Sequence, residues 1–181
     1  MFFGLFGAKN QNRVIVDRQY ATLTAIAREP RFYTDLGMPD TVMGRFEMLS
    51  IVMILYFRRT RSSSRSGQEI AQEIVDAFFQ DIDHSIRELG VGDHGVPKRM
   101  KKMAGMFYGR LEAYAAALDA KDEAALAQAL GRNIYPEKHE GRPALHDLAR
   151  WMTKADADLG AIDEDSISRG QAQLRRPGSE A

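Results

Sequence analysis

At 181 residues, with 44% hydrophobic and 28% charged content, the chain is long enough for a proper hydrophobic core and better suited to one domain than to two. Its 25 basic residues balance 25 acidic ones, so no global field draws it to nucleic acid and any basic site must be local. The absence of cysteine excludes disulfides, thiol chemistry, and zinc-finger or iron–sulfur sites.

The chain opens with Met1-Phe2-Phe3-Gly4-Leu5-Phe6-Gly7, which is apolar but lacks a leading basic region and is too short for a signal-peptide core or a membrane span. Residues 1–11 are expected to form an apolar N-terminal segment, disordered or self-packed. The alternative is that Phe2, Phe3, Leu5 and Phe6, with Lys9 and Arg13 behind them, dip into a membrane interface. The lack of an Arg-rich, Ser-rich presequence points to a bacterial cytoplasmic protein. Asn12 can cap a helix running to about Arg28, with Val16, Tyr20, Leu23 and Ala27 on one face and Pro30 enforcing the stop. Asp40 is a good N-cap for a helix from Thr41 to about Arg59, in which Ser50 alone is polar between Met48 and Phe57. Such a run cannot span a bilayer as a helix and reads as the central buried helix of a bundle.

Arg58, Arg59, Arg61 and Arg65, interleaved with Ser62 to Ser64 and Ser66, predict a solvated, mobile connector. Ser66 and Glu69 then form a capping box for a helix to Leu89, where Ile70, Ile74, Phe78, Ile82 and Ile86 recur every fourth residue. Gly90 ends it, and the sharp reversal that follows is assigned to Gly92. Pro97 suits the first turn of the next helix, which continues to about Leu118. Asp122 caps a shorter helix ending near Gly131, and Pro143 starts a last one to Leu159. Beyond Gly160 the apolar residues are sparse, so 161–181 is expected to be a disordered tail. The fold class is therefore all-α, a single-domain bundle of about six helices spanning 12–160.

On the helix after Pro97, Met100, Met103, Phe107, Leu111, Tyr114 and Leu118 share a core-facing seam. The opposite face carries Lys98, Lys101, Lys102, Gly105, Tyr108 and Gly109. Two glycines inside a helix cost about 2 kcal/mol relative to alanine, and their spacing flattens one side so that another helix can approach. That helix could belong to a partner with apolar and acidic groups, or could be an internal one of the same domain. Met38, Met43, Met48, Met53, Met100, Met103 and Met106 would add adaptable apolar surface wherever they are exposed, most of them being expected in the core.

Asp81, His84 and Glu88 place carboxylate, imidazole and carboxylate on one helix face, the ligand types of a small metal-dependent helical enzyme. No paired Glu-x-x-His motif of the di-iron bundles accompanies them, and no nucleophile setting is present. The arginine connector and the lysine cluster could touch phosphates, which keeps a ribosome- or RNA-associated adaptor as a competing class.

Several ordered segments resemble the ubiquinol-cytochrome c chaperone family: Phe32-Tyr33-Thr34-Asp35-Leu36-Gly37 with Pro39-Asp40-Thr41, Gly44-Arg45-Phe46-Glu47, Asp81-x-Asp83 with Arg87-Glu88, Gly90-Val91-Gly92-Asp93, and Phe107-Tyr108-Gly109-Arg110. The resemblance implies an all-helical, non-enzymatic assembly factor of the cytochrome bc1 complex, without a cofactor or metal. It would bind newly made cytochrome b or another bc1 subunit, alone or with a second assembly factor or the ribosome, as a peripheral protein at the cytoplasmic face of the inner membrane. The expected partner surface is Lys98, Lys101, Lys102, Gly105, Tyr108, Gly109 and Arg110.

Overall fold

A computed structural model describes residues 3–137 and 143–179, with side chains from Asn12 onward. Among these residues the elements are α1 (Phe3–Ala27), α2 (Pro30–Thr34), α3 (Val42–Thr60), α4 (Arg65–Glu88), α5 (Val96–Asp119), α6 (Glu123–Ile134), α7 (Pro143–Gly160) and α8 (Glu164–Ser168), with no strand. The six long helices are those read from periodicity, and α2 and α8 are five-residue additions. The side chains of Phe2, Phe3, Leu5, Phe6 and Lys9 lie outside the described residues, and the backbone of α1 begins upstream of the Asn12 start.

The core is built around α3, which packs against α1, α4, α5, α6 and α7. Every side chain from Ile51 to Tyr56 is fully buried, each large apolar one contributing about 2 kcal/mol. This helix is apolar on all sides because it has neighbours on all sides. Thr41 rather than Asp40 caps it, its hydroxyl accepting from Gly44 N at 3.0 Å. Gly44 is needed for close approach: a Cβ there would lie 1.8 Å from the Pro39 carbonyl oxygen. Ile70, Ile74, Phe78, Ile82 and Ile86 of α4 all face inward, and Phe78 meets Phe107 of α5 with ring centroids 5.1 Å apart.

Four expectations are corrected here. The arginine connector is clamped rather than mobile: Arg58 donates to Asp156 and Asp119, both at 2.9 Å, and Arg59 to Glu164 at 2.8 Å and Ile162 O at 2.7 Å. Two of the cations lie within α3, so their stems pack against the bundle and their heads reach α5, α7 and the chain beyond it. The Ser66 capping box does not form, since α4 starts at Arg65 after Ser64 and the Ser66 hydroxyl pairs with Ser168. The left-handed residue after α4 is Gly90, with φ of +80°, whereas Gly92 is not in that region and has open space around it.

The fourth correction concerns the tail, which packs onto the bundle through residues 161–179. Asp163 caps α8 by accepting from Ser166 N at 2.8 Å. Ile167, Ala172 and Leu174 are buried. Buried Gln19 of α1 exchanges two 2.8 Å hydrogen bonds with the backbone of Ala172, and Trp151 of α7 donates to Arg175 O at 3.2 Å. Single buried side chains and hydrogen bonds replace the periodic face that a helix would have shown.

Candidate partner-binding groove

Between α1, α3, α4 and α5 the surface opens into a groove of about 730 Å³. On α3, Val42, Met43, Phe46 and Leu49 line one wall. Ile82, Ser85 and Ile86 of α4, with Leu89 just beyond its end, line another at three- and four-residue steps. On α5 the same spacing brings Arg99, Lys102, Met103 and Met106 into one strip. Thr24, Ala27 and Arg28 close the α1 side. Although the lining is mostly apolar, Val42, Met43 and Leu89 remain 59%, 44% and 58% exposed. They are three of the five large apolar side chains on the surface of the described residues, the others being Val14 and Tyr108. Unpaired apolar surface gathered in one concavity, with adaptable methionines in it, marks a binding surface rather than a core.

The segments that carry the family resemblance hold this groove in shape. Glu47 of α3 and Arg110 of α5 form a buried bidentate ion pair behind it, and Arg110 also donates to Met106 O at 2.9 Å. Burial pushes the Glu47 carboxyl up, while the Arg110 hydrogen bonds and charge pull it back. Arg87 ties Asp83 of α4 to Asp93 in the following turn, which fixes the angle at which α5 leaves α4. Phe32 of α2 packs edge-on against Trp151 of α7, 4.6 Å between centroids. Tyr135 donates to Gly37 O, securing the link between α2 and α3.

The rim is cationic. Arg28, Arg45, Arg99 and Lys102 line the groove against one acid, Asp81. Asp81 accepts from the Tyr20 hydroxyl at 2.9 Å. Burial and this bond push Tyr20 strongly up, keeping it a proton donor. Arg45 is taken by Asp40 at 2.8 Å and lies over the Tyr33 ring at 5.6 Å. Arg28 and Arg99 form no ion pair or side-chain hydrogen bond among the described residues.

The residues singled out in the sequence separate into three groups. Lys102 lies in the groove, while Lys98, Lys101, Gly105, Tyr108 and Gly109 are exposed on the adjoining face of α5. No described residue fills the strip over the two glycines, since a Cβ on either would meet nothing within 4 Å. Arg110 is corrected: it points inward, 7% exposed, because Glu47 offers it a buried carboxylate. Asp81, His84 and Glu88 do not form a shared site, as Asp81 turns to Tyr20 and His84 to Glu88 at 3.2 Å. Among the described residues no group of three or more His, Asp or Glu converges as metal ligands. Of the connector cations, Arg58 and Arg59 are largely buried in their ion pairs, whereas Arg61 and Arg65 stay 62% and 93% exposed in theirs.

The groove is not read from the sequence, because Met103 belongs to the core-facing seam of α5 and Ile82 and Ile86 to the inward stripe of α4, where the structure does bury these two isoleucines while they also line the groove. The available signal was that these stripes run on to helix ends, at Val42, Met43 and Leu89, where no further helix is left to cover them.

An all-helical body with an open, apolar and cation-rimmed groove has the architecture of a binding protein. The chain belongs to the ubiquinol-cytochrome C chaperone family, whose sequence profile matches residues 34–174. The crystal structure of the Cbp3 homolog from Brucella abortus superposes with a TM-score of 0.91 at 44% identity, covering 99% of each chain. Ubiquinol-cytochrome c reductase complex assembly factor 1 is 24% identical in Mus musculus, over 87% of this chain and 54% of that protein. The Homo sapiens protein of that name is 25% identical, over 87% and 53%. The chain thus spans about half the length of these two mammalian relatives. Among the described residues no helix is long and apolar enough to cross a membrane.

Proposed function

We propose that this chain is a non-catalytic chaperone in the assembly of the ubiquinol-cytochrome c reductase (cytochrome bc1) complex, holding newly made cytochrome b, or another subunit, before it is incorporated. Family membership supports the assembly role, and the observation that carries the mechanism is the open apolar groove with Val42, Met43 and Leu89 unprotected. An unassembled membrane subunit has apolar surface that water does not tolerate, and a concave apolar surface of this size can shield several of its side chains at once. The α5 face of Lys98, Lys101, Gly105, Tyr108 and Gly109 extends the contact beside the groove, its flat glycine strip admitting a second segment. The protein works as a peripheral one at the cytoplasmic face of the inner membrane, where such a subunit emerges.

The test is a Met43→Asp, Leu89→Asp double variant, whose sites are exposed enough to leave the fold intact. Capture of newly made cytochrome b and the level of assembled bc1 complex should both fall. Normal capture and assembly would overturn the groove as the site. Gly109→Leu, placed over open space, should fold and reduce capture by a smaller factor; an unchanged level would confine the contact to the groove.

A further inference from the structure

The groove's charge says more about its occupant than its apolarity does. Most arginines in the described residues are committed. Thirteen of them form ion pairs, and Arg18 donates to the backbone of Arg169 and Gly170. Arg28, Arg99 and Arg132 are left without an ion pair or a side-chain hydrogen bond, and two of these three line the groove. The one carboxylate in the groove already receives a hydrogen bond from Tyr20. A concavity in which cations outnumber carboxylates four to one, over low-dielectric walls, attracts acidic groups and disfavours further cations.

We propose that the groove recognises an amphipathic helix of its protein partner, with an apolar stripe seated on Met43, Leu89 and Met103 and acidic side chains beside that stripe meeting Arg28, Arg99 and Lys102. This rests on the reading of the groove as the partner site and adds the chemistry of what enters it. Walls at three- and four-residue spacing on α4 and α5 match the pitch of an entering helix. The cations come from different sides, Arg28 following α1 and Arg99 and Lys102 on α5, which suits acids spread along a segment better than the single phosphate of a lipid headgroup. Basic segments are repelled and uncharged ones gain nothing from the rim, so the groove selects among the exposed segments of an unassembled subunit.

Two synthetic amphipathic helices sharing one leucine stripe, flanked by Glu in one and by Lys in the other, test the idea on the full-length protein. The Glu helix should bind about tenfold tighter or more, with affinity falling as salt is raised. Arg28→Glu with Arg99→Glu should abolish that preference, while Arg132→Glu, at the unpaired arginine outside the groove, should leave it unchanged. Equal binding of the two helices overturns the proposal. So does the opposite pattern, in which neither helix binds but phosphatidylglycerol vesicles do and the double reversal releases them, because the cations then serve a lipid. The two readings fail separately. If the Arg28→Glu, Arg99→Glu protein still captures cytochrome b while the Met43→Asp, Leu89→Asp protein does not, the groove stands as the client site and the acidic helix falls.

Discussion

Two sets of arginines divide the molecule between holding its shape and offering a surface. At the end of α3, Arg58 has 8% of its side chain exposed and reaches Asp156, Asp119 and Ala115 O, and Arg59 reaches Ser63, Ile162 O and Glu164. At the groove, Arg28 and Arg99 are exposed and reach no acceptor in the described residues. In sequence the first set reads as a solvated connector able to touch phosphates, because four arginines cluster within eight residues. Partners, not local density, decide the role: a cation met by two carboxylates from other helices is a cross-link, and one met by none is available.

That contrast can be broken from the buried side first. Arg110→Leu leaves Glu47 charged and uncompensated in the interior, and should cost about 3 to 5 kcal/mol in denaturant unfolding. Adding Glu47→Leu should recover most of it, since an apolar pair of similar volume is often neutral. If Arg110→Leu kept full stability and lost partner capture, the residue would belong to the surface instead.

Arg58→Met removes charge-assisted hydrogen bonds that join α3 to α5 and α7, and should cost about 2 kcal/mol. Arg99→Glu with Lys102→Glu should change stability by less than about 0.5 kcal/mol. Comparable losses in the two variants would erase the distinction between clamp and surface.

The smallest effect is a pH signature. Hydrogen bonds and charge from Arg58 hold the Asp119 carboxyl below the usual range. Glu164 is lowered first by the Ser64 N–H and then by Arg59. Carboxyl groups with depressed folded-state pKa values stabilise the fold above their unfolded values, about 4, and that contribution is lost as pH falls through the folded values. The melting temperature should therefore decline below about pH 4, and Arg58→Met should decline less steeply because its Asp119 share is already missing. Identical slopes would show that the pair contributes nothing.

Periodicity made most of the fold legible. The four-residue repeat of α4, the apolar run of α3 and the caps at Gly90 and Asp122 each report local physics that the structure preserves. What was not legible depended on distant partners. Ile167, Ala172 and Leu174 form no pattern, and the segment is held by Gln19, 153 residues from Ala172, and by Trp151, 24 residues from Arg175. Arg110 stood next to Tyr108 and Gly109 in sequence, yet one step around the helix carried it from the open face to Glu47. The groove was the hardest feature to read, because a stripe of apolar residues looks the same whether a neighbouring helix covers it or stops short.

The central claim, that the groove is where the unassembled subunit is held, is tested most directly by a photo-crosslinking residue placed in turn at Met43, Leu89 and Val14, all exposed apolar positions, with Val14 outside the groove. The groove positions should crosslink to a newly made subunit of the bc1 complex, cytochrome b foremost, and Val14 should not. Crosslinks from Val14 with none from Met43 or Leu89 would contradict it.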